Sequence, residues 1–170
     1  MSTLTKFLTI GALLLVSACS NGGLFGGRDA TSGAGTAGAV VPGSVSDPTS
    51  PAYFNQTIGD RVHFAVDQST LSPEAQSVLD GQAKWLLTNT DYTAVIEGHA
   101  DEQGTREYNL ALGARRANAS REYLISRGVA GHRLKVISYG KERPIEICSD
   151  EACYYQNRRA VTVLSSALTG

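Results

Sequence analysis

The run EGHADEQGTREYNLALGARRANA, residues 97–119, combines residue types that suit a small binding site. Asp101 lies in a glycine-containing turn, and a predicted helix follows. Asn109, Leu112 and Arg116 occupy positions i, i+3 and i+7 of that helix, so they share one face. An aspartate pairs with an ammonium, and the planar fork of an arginine holds a carboxylate through two parallel hydrogen bonds. The pattern therefore predicts a site for a small zwitterion.

The same spacing also allows other arrangements of these charges. Asp101 and Arg116 could pair with each other as a structural salt bridge, or both could be solvated. Arg158 and Arg159 begin the last predicted strand, so alternation directs their side chains to opposite faces of the sheet. One of these two arginines could reach the site or a carboxylate in the sheet, and the pattern does not distinguish which one.

A metal-dependent hydrolase is the rival class of function. His63, His99, Asp101 and Glu102 could supply metal ligands or a general acid and base. Against it, the chain has three histidines and contains neither a His-x-x-x-His pair nor a Gly-x-Ser-x-Gly motif. The sequence favours a binding module without cofactor or metal.

The elements that must position the site alternate between strands and helices. Alternating β-branched and aromatic residues predict strands, and apolar residues at helical spacing predict helices. Ser72 and Thr105 are predicted N-caps, and Gly128 is a predicted helix end. The strands are expected over 61–66, 92–98, 133–140 and 158–166, and the helices over 71–89 and 106–128. The order βαβαββ predicts an α/β (α+β) sandwich, a small mixed sheet with helices on one face.

Residues 1–18 read as a secretory signal peptide. Lys6 gives a charged start, and Phe7–Val16 is apolar but too short to span a membrane. The sequence VSACS resembles a bacterial lipobox and predicts that Cys19 is lipidated, with an ordinary signal and a chance cysteine as the alternative. Two or three acyl chains anchor a protein firmly. In such signals Ser20 favours sorting to the outer membrane.

Composition divides the remaining chain into a linker and a domain. Residues 19–51 are rich in Gly, Ala, Ser, Thr and Pro, which predicts a flexible linker after the lipidated cysteine. Residues 52–170 are long enough for one core. The formal net charge is −1, and removal of residues 1–18 leaves 14 basic and 16 acidic residues. Such a balance argues against nucleic acid as a partner.

Two further cysteines, Cys148 and Cys153, flank the short sequence SDEA. An oxidising compartment outside the inner membrane favours a disulfide between them. A zinc site is the alternative, but one Cys-x4-Cys pair without a nearby histidine is a weak zinc pattern. The sequence therefore predicts a disulfide that closes a loop before the last strand.

Three runs carry a family resemblance: IEGHADEQGTREYNLALGARRANASREYL, VISYGKERP and NRRAVTV. Over about residues 58–165 the chain resembles the outer-membrane protein A-like (OmpA-like) domain family. The resemblance implies noncovalent binding of peptidoglycan through the meso-diaminopimelate of its peptide stems. It assigns ligand contacts to Asp101 and Arg116 and pocket-shaping roles to Asn109 and Leu112.

Lipid-anchored members of this family work with the Tol proteins of the cell envelope. The resemblance therefore implies TolB and other Tol proteins as partners, an outer-membrane anchor with the domain facing the periplasm, and a role in envelope integrity and cell division. One departure concerns the first strand, where Phe64-Ala65-Val66-Asp67 replaces the usual Phe-Asp-Phe-Asp. Because Ala65 has no carboxylate, only its backbone can make the contacts expected at that position.

Overall fold

The computed structural model describes residues 40–166. The predicted signal peptide, Cys19 and most of the predicted linker lie outside the described residues. Among the residues that are described, no helix has both the length and the apolar character needed to cross a membrane.

The fold is a four-stranded mixed sheet with helices packed on it. The strands lie in the order β1-β4-β2-β3, with β2 and β3 parallel and the other two pairs antiparallel. This arrangement confirms the predicted α/β class. In chain order the elements are α1 Pro51–Tyr53, a π-helical turn Phe54–Gly59, β1 Arg61–His63, α2 Pro73–Thr88, β2 Tyr92–His99, α3 Arg106–Ser126, a 3-10 turn Gly131–Arg133, β3 Leu134–Gly140, α4 Glu151–Asn157 and β4 Arg159–Ser166.

The predicted helix boundaries rest on caps that the structure contains. The Ser72 hydroxyl accepts a hydrogen bond from the Ala75 amide at 3.2 Å and so begins α2. Thr105 caps α3 in the same way, through the Tyr108 amide at 3.2 Å. Gly128 follows α3 with φ +100°, a conformation that favours glycine. The helix α4, which Asp150 caps, was missed because its seven residues carry too short an apolar pattern.

The chain joins the domain earlier than residue 52, where composition placed the boundary. The Trp85 indole donates to the Pro48 carbonyl at 2.7 Å, and the buried Ser50 hydroxyl donates to the Ser44 carbonyl at 2.6 Å. A buried indole N–H requires an acceptor, so residues 44–50 belong to the packed structure. Composition alone could not show this, because backbone carbonyls supply the contacts.

The sheet and α3 approach closely at two glycines. A Cβ atom on Gly98 would lie 1.8 Å from the Gly113 carbonyl oxygen, and one on Gly113 would lie 2.4 Å from the Ser138 hydroxyl. The close approach places the first half of α3 directly over the carboxyl end of β2, where the predicted site lies. The surrounding core buries residues of both helices and the sheet, among them Phe54, Phe64, Leu79, Leu86, Ile96, Ala117 and Leu124.

We expect Gly98→Ala to lower the free energy of unfolding by about 3 kcal/mol, at the upper end of overpacking costs, since a backbone carbonyl cannot move aside. Gly81→Ala is the matched control, because the nearest atom to its new Cβ would be the Cγ2 methyl of the Ile58 side chain at 3.1 Å and not a backbone atom. The control should change stability by less than about 1 kcal/mol. Urea unfolding measures the free energy of unfolding of both variants. Equal values for Gly98→Ala and Gly81→Ala would contradict the close approach of β2 to α3 at Gly98.

Candidate functional site: a cavity with two carboxylates

A cavity of about 250 Å³ opens at the carboxyl end of β2. The loop after β1, the loop after β2 and the first turns of α3 form its walls. Three of the four residues predicted for the site, Asp101, Asn109 and Leu112, line this cavity, and Arg116 lies behind its wall. The complete lining is Val66, Asp67, Asp101, Gln103, Gly104, Tyr108, Asn109 and Leu112.

The turn that carries Asp101 is held from both sides. One oxygen of the Asp101 carboxylate accepts from the Gln103 amide at 3.2 Å, and the Asn109 side chain donates to the Gln103 carbonyl at 2.7 Å. Asn109 is 1% exposed, so it shapes the turn from inside. A carboxylate has about four lone-pair positions, and Asp101 therefore retains acceptor capacity toward the cavity.

The cation that pairs with Asp101 is Arg158. Its guanidinium lies 3.2 Å from the second carboxylate oxygen, and the two side chains are 3% and 10% exposed. This answers the question left open between Arg158 and Arg159, because Arg159 instead donates to the carbonyl of Arg143 at 3.2 Å. The ion pair considered between Asp101 and Arg116 is not the contact that the structure shows.

Arg116 is fully buried and binds backbone carbonyls. Its three guanidinium nitrogens donate to Gln68 at 2.8 Å, His99 at 2.9 Å and Ala65 at 3.2 Å. Burial lowers the pKa of the Arg116 guanidinium to about 10, although the nearby Asp101 carboxylate acts in the opposite direction. Sequence spacing predicted that Arg116 shares a helix face with Asn109 and Leu112. It could not show that backbone carbonyls accept the hydrogen bonds of the Arg116 guanidinium.

Asp67 is a lining residue that the sequence analysis did not assign to the site. Its backbone has φ +56°, which an aspartate tolerates better than a bulky residue. The hydroxyl of Tyr108, which also lines the cavity, donates to the Asp67 carboxylate. The sequence signal that could have assigned Asp67 to the site is its position directly after the apolar run that ends the first predicted strand. Asp67 and Asp101 give the cavity two carboxylates.

Cys148 and Cys153 form the predicted disulfide, with 5.8 Å between their Cα atoms. Within residues 40–166, the group of three side chains spaced to hold a metal ion consists of these two cysteines and Asp150. The disulfide consumes both sulfurs, so these residues do not fit a zinc site. The histidines and acids considered for a hydrolase do not form such a group in the described part of the chain.

His99 packs in the interior below the cavity. It is 2% exposed, and neither ring nitrogen has a hydrogen-bond partner among the described residues. Burial lowers its pKa to about 4, and the positive charges of Arg159 and Arg143 act in the same direction. Burial also lowers the pKa of His63. A neutral, enclosed imidazole of this kind is a packing residue.

The lowered pKa of His99 predicts an acid-sensitive fold. Between pH 6.5 and about 4 the unfolded chain binds a proton at this position that the folded protein does not, so stability falls as the pH falls. From pH 7 to pH 5 the loss should be about 2 kcal/mol. Urea unfolding at several pH values measures it. His99→Asn should flatten the dependence and the exposed His132→Asn should not; equal slopes would contradict the assignment.

We expect removal of Arg116 to damage the fold before it affects any ligand. Arg116→Met leaves three carbonyls without their donor and should cost about 3–5 kcal/mol. Arg115→Met is the matched control, because Arg115 is exposed and lies 5.8 Å from the Tyr108 ring; it should change stability by less than about 0.5 kcal/mol. Thermal unfolding compares the two, and a fully stable Arg116→Met would show that the carbonyl contacts contribute little.

Comparison with known proteins identifies the family of the chain. The model of a family described as the OmpA family matches residues 63–158, more than half of the chain. The chain is 56% identical over 131 residues to a peptidoglycan-associated lipoprotein of Rhizobium meliloti strain 1021, covering 77% of this chain and 71% of that protein. It is 44% identical over 140 residues to the protein of that name from Pseudomonas aeruginosa, covering 82% and 80%.

Solved structures of similar proteins indicate the same family and fold. The crystal structure of the peptidoglycan-associated lipoprotein from Burkholderia pseudomallei has a TM-score of 0.63 and 37% identity, covering 71% of this chain and 98% of that one. The C-terminal domain of Helicobacter pylori MotB, at 21% identity and a TM-score of 0.59, shares the fold and covers 63% of this chain and 84% of that one. The chain therefore belongs to the OmpA family.

Proposed function

We propose that this protein is an outer-membrane lipoprotein that tethers the membrane to peptidoglycan by noncovalent binding of meso-diaminopimelate stems. The observation that carries the proposal is the cavity with Asp67 and Asp101 in its wall and a buried guanidinium behind it. Its relatives bear the name peptidoglycan-associated lipoprotein. The protein acts as a binding module, without catalysis or cofactor.

The chemistry of the stem fits the cavity. The far end of diaminopimelate carries an ammonium and a carboxylate on one carbon. Asp101 and Asp67 accept hydrogen bonds from the ammonium, and charge-assisted bonds of this kind contribute about 1.5–3 kcal/mol each. Leu112 packs against the methylene chain, and Asn109 keeps the turn in place. A ligand with a neutral or anionic end group would place no cation between the carboxylates of Asp67 and Asp101.

Arg116 supplies the positive charge that the ligand carboxylate requires. Its Nη atoms each carry a second N–H, beyond the ones that bind the carbonyls of His99 and Ala65. These N–H groups are free to bind a ligand, but Arg116 is fully buried. Direct contact with the ligand therefore needs an outward shift of the segment 65–68, which covers the guanidinium. Without that shift, Arg116 acts through its charge from behind the wall, where low solvent access preserves electrostatic interactions.

The proposed anchor comes from the sequence. The Cys19 sulfur takes a diacylglycerol, cleavage after residue 18 frees the Cys19 amine for a third acyl chain such as palmitate, and Ser20 directs the product to the outer membrane. Because the packed structure begins near Ser44, about 25 residues separate lipid from domain, and fully extended they reach about 85 Å at most. The domain then faces the periplasm, where TolB and other Tol proteins are its protein partners, in a system that maintains the envelope during cell division.

Stem selectivity tests the proposal. Stems with lysine keep the ammonium but lack the terminal carboxylate, so they should bind at least tenfold more weakly, which is about 1.4 kcal/mol. Asp101→Asn and Asp67→Asn should each weaken binding of the diaminopimelate stem at least tenfold. Isothermal titration calorimetry of the protein with soluble stem peptides gives these affinities.

A matched control is available near the C-terminal end of α3, whereas the cavity lies at its first turns. Asp80 also accepts from a tyrosine hydroxyl, that of Tyr123 at 3.1 Å, and pairs with Arg127 at 2.7 Å. Asp80→Asn should therefore change affinity less than twofold. Equal affinities for both stem types, or equal effects of Asp80→Asn and Asp101→Asn, would contradict the assignment of the cavity.

A further inference from the structure

The Asp101 carboxylate is held from behind the cavity wall by a residue that is itself held in place. Arg158 donates to Asp101 at 3.2 Å and to the Phe64 carbonyl at 3.2 Å. It is 2% exposed. Arg158 pairs with Asp101 but is not among the residues that line the cavity, so it can set the direction of the Asp101 carboxylate without being part of the cavity wall.

Arg158 is in turn gripped by the first residue of α4. Its guanidinium donates to both carboxylate oxygens of Glu151, one of them at 3.3 Å. The Glu151 side chain is 68% exposed, whereas that of Arg158 is 3% exposed. The exposed Glu151 therefore holds the buried Arg158 in place, and Arg158 in turn holds Asp101.

A second connection runs from the same segment to the neighbouring residue of the site turn. The Glu102 carboxylate accepts from the Ser149 hydroxyl at 2.8 Å and from the Tyr154 hydroxyl at 3.0 Å. Ser149 and Glu151 both lie between the two cysteines of the disulfide. The disulfide-closed loop, residues 148–153, thus contacts the site turn directly through Glu102 and indirectly through Arg158.

We propose that the disulfide-closed loop controls the ligand affinity of the cavity, with Arg158 as the positioning residue that transmits its state to Asp101. The inference rests on the proposed function, since it needs a ligand at Asp101. It makes the Cys148–Cys153 bond a redox-sensitive element of the binding site.

The redox step is an exchange with a dithiol. The dithiol gives two electrons and two protons to the disulfide, the S–S bond breaks into two thiols, and the dithiol becomes a cyclic disulfide. The freed loop recovers conformational entropy, so Glu151 and Ser149 occupy their bonding positions for a smaller fraction of the time. Arg158 then loses its outer acid, and the Asp101 carboxylate is no longer fixed toward the cavity.

The test measures binding of a tripeptide stem ending in meso-diaminopimelate to the full-length chain in detergent. Glu151→Gln, which leaves the cavity lining unchanged, should weaken binding about threefold to tenfold. The double variant Cys148→Ser/Cys153→Ser and the dithiol-treated protein should show a similar loss, and the dithiol should have no effect on the double variant. Glu122→Gln is the matched control, because Glu122 is an exposed acid paired with Arg121 at 2.6 Å; it should bind within twofold of the wild type.

A double-mutant cycle separates positioning from general loosening of the fold. If Glu151 acts through Arg158 on Asp101, Glu151→Gln should cause no further loss in an Asp101→Asn background, measured at millimolar stem. In an Asp67→Asn background it should cause its full loss, since Asp67 does not contact Arg158. Equal losses in both backgrounds, or full affinity of Glu151→Gln, would overturn the inference.

Failure of the inference differs from failure of the proposed function. A wild-type chain that does not bind the stem contradicts the proposed function. A wild-type chain that binds through Asp101, with an affinity that the dithiol, the cysteine double variant and Glu151→Gln leave unchanged, contradicts the inference alone.

Discussion

The architecture of the site depends on one buried guanidinium. Arg116 donates to carbonyls of Ala65, Gln68 and His99, and so ties the segment after β1 to the end of β2. A buried charge is costly unless its donors are satisfied, and here backbone carbonyls and the Phe64 ring, 5.4 Å from the guanidinium carbon, meet that requirement. The cavity is the space that remains between the segments that Arg116 holds together.

Charge is arranged in layers around that space. The inner layer is acidic, with Asp67 and Asp101 in the wall, and the layer behind it is basic, with Arg116 and Arg158. Glu151 lies outside Arg158 and is largely exposed. An ammonium is favoured at the wall, and the positive charges behind it favour a carboxylate on the same ligand. From this layering the proposed function predicts that a zwitterion binds better than a simple amine.

The sequence predicted what local physics determines. Helix caps at Ser72 and Thr105, the succession of four strands along the chain and the convergence of Asp101 with Asn109 follow from short-range patterns, and the structure contains them. The first strand, predicted over 61–66, is shorter and ends at His63. Short-range patterns could not predict which buried charged groups pair with each other. Which arginine meets Asp101 depends on which backbone carbonyls lack a donor after folding, and only the assembled sheet determines that. The packing of residues 44–50 depends in the same way on a carbonyl, that of Pro48.

In the proposed function, the two-carboxylate cavity holds the zwitterionic end of diaminopimelate. A crystal structure of the protein with a diaminopimelate-containing stem peptide would locate that end. We expect the ligand ammonium within about 3 Å of carboxylate oxygens of both Asp67 and Asp101, the usual range for charge-assisted hydrogen bonds. A stem bound at any other surface, with the cavity unoccupied, would contradict it.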